Sequence, residues 1–349
     1  MSKKSNSTSD RKKAHIDLCL TDDVAFKNKT AGFENYEFEH YAITEVDLSK
    51  IDFTTAFFEK NIDYPFLISC MTGGTQEAGN INAQLAIAAQ QLNIAMGVGS
   101  QRQALENEKY IETYKIIRKN APKIPVLGNL GASEVVKLKT LDSVSYLVDV
   151  VNADAMVIHL NPLQELFQPE GEPNFTGLLK KLEKLSGFLN VPVIVKEVGS
   201  GISKKAVQKL LETGVKGIDV AGAGGTSWSG VEMLRSGISD RDEFWDWGLP
   251  TAYCIKQIAP LKEYYDFILI GSGGINSAFD AAKALALGSD IAASARTILK
   301  ELNKNGVEGV ISLVENWFED IRKIMFLTGS KNLKEFRERN NLIHKSEMY

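Results

Sequence analysis

Eight short apolar runs recur along the chain: Phe66–Met71, Ile94–Val98, Val126–Leu130, Ala155–Leu160, Val193–Val198, Gly217–Ala221, Phe267–Ile270 and Asp290–Ala293. Their apolar character is nearly continuous rather than alternating, the mark of strands buried on both faces. Most are followed by a segment of helical periodicity, such as Gln76–Leu92, Glu108–Lys119, Phe175–Leu189 or Ser203–Thr213. Repeated strand-then-helix units imply a parallel sheet. An open doubly wound sheet would show the same alternation, but eight units without a break in composition favour closure. The expected fold is therefore α/β, a (β/α)8 TIM barrel.

The barrel is expected over 64–330. Ahead of it, 10–63 mixes charges with Phe33, Tyr36, Phe38 and Tyr41, a pattern that suits an N-terminal extension packed on the barrel. The first residues, 1–9, lack an apolar h-region and are expected to be disordered rather than a secretory signal. A long insertion, 224–250, separates the sixth strand from a helix at Thr251–Lys262 and carries Trp228, Trp245, Trp247 and several acids. Connections of this length are usually functional or disordered, and the aromatics favour a folding lid over a bare linker. The polar tail, 331–349, shows no pattern that assigns a function.

Composition narrows the class of protein. A chain of 349 residues accommodates one barrel of roughly 250 residues with additions. Hydrophobic content of 44% and charged content of 24% are globular values, and no apolar stretch approaches the ~20 residues a membrane span needs. A net charge of −4 offers no general attraction to nucleic acid or an anionic membrane. Cys19, Cys70 and Cys254 are odd in number and widely spaced, which suits reduced thiols, forms no metal-ligand pattern and points to a cytoplasmic location.

The fourth run ends abruptly in polar groups, reading H-L-N-P-L-Q-E from His159 to Glu165. Taken alone, this is equally an Asn-Pro turn beside a hydrogen-bonded core histidine or a functional strand mouth. In a barrel the active site is built by the loops after the strands, which favours the second reading. Other strand ends agree: Met71-Thr72-Gly73-Gly74, Gly99-Ser100-Gln101-Arg102, Gly128-Asn129-Leu130-Gly131 and Lys196-Glu197-Val198-Gly199. Glycines there admit close backbone approach and isolated polar groups can bond the edge of a flat ligand, the pattern of a large planar cofactor. Gly271-Ser272-Gly273-Gly274-Ile275, opening a helix expected at Asn276–Leu287, and Ala293-Ser294-Ala295-Arg296 form a candidate phosphate site after the seventh and eighth strands. Lys196 supplies a cation suited to an electron-rich flavin edge. No G-x-G-x-x-G follows the first strand, so flavin mononucleotide (FMN) fits better than a dinucleotide.

Together with R-K-K-A-H-I at Arg11–Ile16 and A-G-A-G-G-T-S-W at Ala221–Trp228, these segments resemble the type 2, FMN-dependent isopentenyl-diphosphate Δ-isomerases from Arg11 to about Leu333. The resemblance implies interconversion of isopentenyl and dimethylallyl diphosphate with reduced FMN and Mg²⁺, NADPH as the reductant, and a homo-oligomer of barrels, a tetramer or octamer. It also implies residue roles. Met71, Thr72, Gly73, Ser100, Asn129, Lys196 and Thr226 would contact the flavin, and Gly273, Gly274, Ile275, Ala295 and Arg296 would surround its phosphate. Arg11, Lys12, Ser100, Gln101, Arg102, His159, Asn161 and Gln164 would hold the substrate, with Glu165 on Mg²⁺. Without the family pattern, Arg11–Lys13 is an ordinary basic tail. Ala293 departs from the glycine common in the family's eighth-strand turn.

In this reading Gln164 and His159 orient the substrate rather than titrate, because an amide is a poor acid or base near neutral pH, and the cofactor carries the proton. The rival chemistries are a flavin-dependent hydroxy-acid oxidase and a nucleotide dehydrogenase. They need a histidine or a nucleophilic cysteine in the sixth-strand loop, and Ala221–Thr226 holds neither. A non-catalytic FMN barrel that binds prenyl diphosphates is the alternative from a different class.

Overall fold

The computed structural model describes residues 8–20, 24–238, 242–339 and 341–348. Eight parallel strands close into a barrel: β1 (Phe66–Ile68), β2 (Ala95–Gly97), β3 (Val126–Gly131), β4 (Ala155–Leu160), β5 (Val193–Glu197), β6 (Gly217–Asp219), β7 (Ile268–Ser272) and β8 (Ile291–Ser294). Each pairs with the next in sequence, and β8 returns to β1 through Ala292↔Phe66, Ala293↔Leu67 and Ser294↔Ile68.

Side-chain alternation divides every strand between two cores. Leu67, Leu127, Val157, Ile194, Ile270 and Ile291 fill the barrel interior, whereas Met156, Ile158, Val193, Val195 and Leu269 face the surrounding helices. Burial on both faces explains the unbroken apolar runs. The same alternation places Asn129, His159, Lys196, Asp219 and Ser272 two residues beyond interior positions, one step nearer the C-terminal mouth. The mouth therefore inherits a polar layer directly above an apolar one.

The helix Gln76–Leu92 has the bounds its periodicity predicts, with Thr75 capping it by accepting from the N–H of Ala78 at 3.1 Å. The helix after β7 begins at Ala278 rather than Asn276, because Ser277 is the N-cap and accepts from the N–H of Asp280. Of segment 1–9, residues 1–7 lie outside the described residues, and Thr8 and Ser9 open the helix Thr8–Leu20. The tail is structured among its described residues: Leu333–Glu338 is helical, and Leu342–His344 pairs antiparallel with Tyr36–Phe38, so the tail packs with the N-terminal extension. Within 224–250, Trp228–Ser236 and Asp242–Trp245 form helices, and buried Trp245 donates from Nε1 to the carbonyl of Ala25 at 2.8 Å.

Candidate active site

The loops after the strands enclose one large cavity at the C-terminal mouth, with the Thr8–Leu20 helix over part of it. Arg11, Lys12, Met71, Thr72, Ser100, Arg102, Asn129, His159, Asn161, Gln164, Glu165, Lys196, Thr226, Gly273, Gly274, Ile275, Ala295 and Arg296 all line it. Two of the residues expected there do not. Gln101 is fully buried; its amide donates to the carbonyl of Leu147 at 2.9 Å and accepts from the N–H of Asn129 at 2.9 Å, so its side chain braces β3 against the helix layer. Gly73 presents its carbonyl to Lys12 Nζ at 2.5 Å, and a side chain there would strike the ring of Tyr114.

One pole of the cavity is an anion cradle between β7 and β8. Gly273 and Gly274 have φ of 101° and 70°, in the left-handed region, and a Cβ on Gly274 would lie 2.7 Å from the carbonyl oxygen of Gly224. Only glycine permits that turn. Ser294 Oγ donates to the carbonyl of Ile275 at 2.9 Å and Thr297 Oγ1 to Asn276 Oδ1 at 2.8 Å, which ties the loop to the N-terminus of the helical run Arg296–Leu327. Arg296 Nη1 is buried without a hydrogen-bond partner. An unpaired guanidinium nitrogen beside a helix N-terminus and a glycine turn fits a phosphate group. Ala293 packs with the interior cluster of Leu67 and Ile270 and also lines the cavity, in register with Ser272 just before the β7 turn.

Polar residues from β3 to β6 form the opposite wall. His159 Nδ1 meets Asn129 Oδ1 at 2.8 Å, while Asn129 Nδ2 donates to the carbonyl of Val98 at 3.1 Å. That second bond fixes the amide with its oxygen toward the imidazole, so His159 carries its proton on Nδ1 and keeps Nε2 as an acceptor. Burial, helped by the charges of Lys196 and Lys12, pushes the His159 pKa down to about 4, so the ring is neutral near pH 7. Lys196 Nζ lies 3.2 Å from Asp219 Oδ2 and donates to the carbonyl of Glu197 at 3.0 Å. Glu197 turns its own carboxylate outward from the barrel axis, where Oε2 accepts the N–H groups of Val198, Gly199 and Ser200 at 2.5–2.7 Å. It shapes the loop; burial raises its pKa to about 7 despite those bonds.

Beyond β4, Asn161 and Pro162 start the helix Pro162–Phe167, which delivers Gln164 and Glu165 into the site. Glu165 Oε1 accepts from Asn161 Nδ2 at 3.0 Å and Ser133 Oγ at 3.3 Å, and Oε2 from the N–H of Glu172 at 2.8 Å. Asn161 Oδ1 is buried with no partner. The Glu165 carboxylate at the cavity wall is a hard-oxygen donor that fits Mg²⁺ when a ligand's phosphates and water complete the shell, while Asn161 turns its amide nitrogen to it. Among the described residues no cluster of three or more His, Cys, Asp or Glu forms a self-sufficient metal site.

Two functional candidates escaped the sequence reading. Glu232, fully buried in the insertion, accepts from Gln164 Nε2 at 2.9 Å, pairs with His15 Nε2 at 2.9 Å and forms an ion pair with Arg235. Desolvation pushes its pKa up, but the bonds from His15 and Gln164 and the charge of Arg235 outweigh that and leave it lowered. His15 also stands edge-on to Trp228, with ring centroids 5.1 Å apart. Its position four residues after Arg11 in a helix, hence on the same face, was the available signal. Lys12 is held by three neutral acceptors, Gly73 O, Ser100 O at 3.1 Å and Tyr114 Oη at 3.1 Å, and burial followed by the charge of Arg11 lowers its pKa to about 7. Arg102 is engaged by Glu106 at 2.7 Å and Glu134 at 3.0 Å.

The fold, a closed eight-stranded parallel barrel with its cavity at the C-terminal mouth, agrees with the class the family match defines: the chain belongs to the FMN-dependent dehydrogenase family, whose model matches residues 5–113 and 143–343. Lactate oxidase from Pediococcus acidilactici (TM-score 0.67, 16% identity, 94% of this chain and 87% of that one) and a flavocytochrome b2 (TM-score 0.69, 19% identity, 93% and 80%) share the fold. Within the class it is a member of the isopentenyl-diphosphate delta-isomerases. It is 45% identical to the enzyme of that name from Pelodictyon phaeoclathratiforme over 97% of this chain and 98% of the relative. Identity is 45% to that of Chlorobaculum parvum (95% and 96%) and 43% to that of a Nostoc species (96% and 96%).

Proposed function

We propose that this protein interconverts isopentenyl and dimethylallyl diphosphate, with reduced FMN in the barrel mouth and Mg²⁺ on the diphosphate. The observation that carries the reading is one cavity with two poles: a glycine-lined anion cradle at β7 and β8, and across the mouth Arg11, Lys12, Arg102, His159, Gln164 and Glu165. A phosphorylated cofactor suits the first pole and a second anionic ligand the other.

FMN would be held at its phosphate by Gly273, Gly274, Ile275, Ala295 and Arg296, and along its ring by Met71, Thr72, Ser100, Asn129, Lys196 and Thr226. Bound and reduced, it would supply an electron-rich face against developing positive charge and a proton at N5. Glu165 would hold Mg²⁺, whose charge offsets that of the diphosphate. Arg11 supplies a planar fork for phosphate oxygens, and Arg102 would exchange part of its bonding to Glu106 and Glu134 for the same purpose. Neutral His159 offers a lone pair at Nε2, suited to a metal-bound water or a protonated phosphate oxygen. Gln164 is oriented from both ends of its amide, by Glu232, which accepts one amide proton at 2.9 Å, and by Asn161, whose Nδ2 donates to its Oε1 at 3.2 Å, and this would leave the second amide proton for a ligand. Buried apolar walls and the Thr8–Leu20 helix exclude water from any carbocation-like state. Moving the double bond adds a proton at the terminal alkene carbon and removes one from C2, with no net change in oxidation state.

The test is turnover of isopentenyl diphosphate by the purified protein with FMN, Mg²⁺ and NADPH under anaerobic conditions. Formation of dimethylallyl diphosphate is expected. No turnover at saturating Mg²⁺ and FMN refutes the isomerase, and oxidation of a hydroxy acid in its place would favour the oxidase reading.

A further inference from the structure

Asp219 has no place among the cavity-lining groups, yet it is tied to two that do line it. It lies opposite Lys196 in the β5–β6 register, 1% exposed, with Oδ2 3.2 Å from Lys196 Nζ. Its other oxygen accepts from Ser272 Oγ at 2.5 Å and from the N–H of Ala221 at 3.2 Å. Lys196 and Ser272 face the cavity; Asp219 sits behind them. From the β1 end, Cys70 also faces the pair, its thiol pushed up to about 11 by burial.

A buried ion pair is a poor source of stability, because the two desolvation penalties offset most of the attraction. Well-packed apolar residues, like the Ile194 and Ile270 layer beneath, would serve the barrel as well. What the pair does provide is a cation whose position and net charge are set from behind. Lys196 has one carbonyl and one carboxylate as protein partners and lines the cavity, so an ammonium with three donors keeps one for a ligand.

We propose that Asp219 is a positioning residue that fixes Lys196 at the cavity wall and, by partly neutralising it, sets how much more tightly reduced FMN is held than oxidised FMN. The proposal rests on the FMN reading of the cavity. Ser272 works in the opposite sense: its hydroxyl disperses the charge of Asp219 and leaves Lys196 more positive.

The experiment is FMN reconstitution of the full chain, followed by measurement of the flavin midpoint potential in wild type and variants. Asp219→Asn keeps the shape and removes the charge. Reduced FMN is expected to gain about tenfold in relative affinity, an upward shift of ~30 mV for a two-electron couple, and Asp219→Glu is expected to return toward wild type. A purely structural carboxylate would weaken both redox forms alike, so FMN binding with a relative affinity unchanged within twofold in Asp219→Asn overturns the proposal. Breaking a buried pair is destabilising; if Asp219→Asn does not fold, Ser272→Ala decides. The relative affinity for reduced FMN is then expected to fall about threefold, and no fall overturns the proposal. Wild-type protein that binds no FMN overturns the FMN reading together with this one, and the two failures are thereby distinguishable.

Discussion

Two amide side chains in the site show how hydrogen bonds, rather than titration, assign roles. Asn129 is locked by the carbonyl of Val98 and so dictates the tautomer of His159; Gln164 is locked by Glu232. Truncating Gln164 leaves a buried carboxylate short of one donor and lets the substrate move, at a cost of ~1–3 kcal/mol. Gln164→Ala is therefore expected to raise KM for isopentenyl diphosphate about tenfold or more, with a smaller loss in kcat. Steady-state kinetics check this, and a fall confined to kcat would assign the amide a part in the proton transfer itself.

Among the elements, the Thr8–Leu20 helix and the turn after β7 do the most to complete the cavity. Lys12 fastens the helix to the ends of β1 and β2, and its pKa is lowered to about 7 from an ordinary 10.5. Between those values the unfolded chain binds more protons than the folded one, so this group makes the fold more stable as pH rises from about 7 toward 10.5; below 7 the full penalty of burying the cation applies. Lys12→Met is expected to remove that rise, seen as a flatter dependence of its unfolding free energy on pH than that of wild type in urea unfolding between pH 6 and 10. In the β7 turn, Gly274→Ala forces a methyl group onto the Gly224 carbonyl at a left-handed φ. Strain of ~1–3 kcal/mol follows. A lower melting temperature and at least a tenfold loss of FMN affinity are expected, by thermal unfolding and fluorescence titration.

At the scale of the whole molecule, the barrel leaves polar groups buried at its mouth that lack partners, Arg296 Nη1 and Asn161 Oδ1 among them. Ligands that satisfy them bind the folded state alone. At FMN one hundred times its Kd the fold is expected to gain ~2.7 kcal/mol, visible as a melting temperature several degrees higher than that of the apoprotein. No thermal shift in the presence of FMN would contradict the cradle. The homo-oligomer and the NADPH reductant that the resemblance implies belong to the same reading and are checked by sedimentation and by anaerobic reduction.

Sequence alone determined the barrel, because strands buried on both faces must be apolar throughout and β4 keeps the bounds Ala155–Leu160 that its run predicts. It also determined most of the mouth, since barrel chemistry sits where strands end and the polar residues there stand out against apolar runs. Only tertiary structure could decide which of those polar groups turn inward. Gln101 sits in the same strand-end motif as Ser100 and Arg102, yet its amide finds one backbone partner in the helix layer, Leu147, and one on β3, Asn129, and leaves the cavity. Glu232 meets His15 and Gln164 from 217 and 68 residues away, and no local spacing encodes such a meeting. Asp219 reads as a strand residue until β5 and β6 pair and set its carboxylate behind Lys196. Periodicity reports which face of an element is apolar; which polar groups meet depends on closure of the barrel and on where buried donors and acceptors find one another.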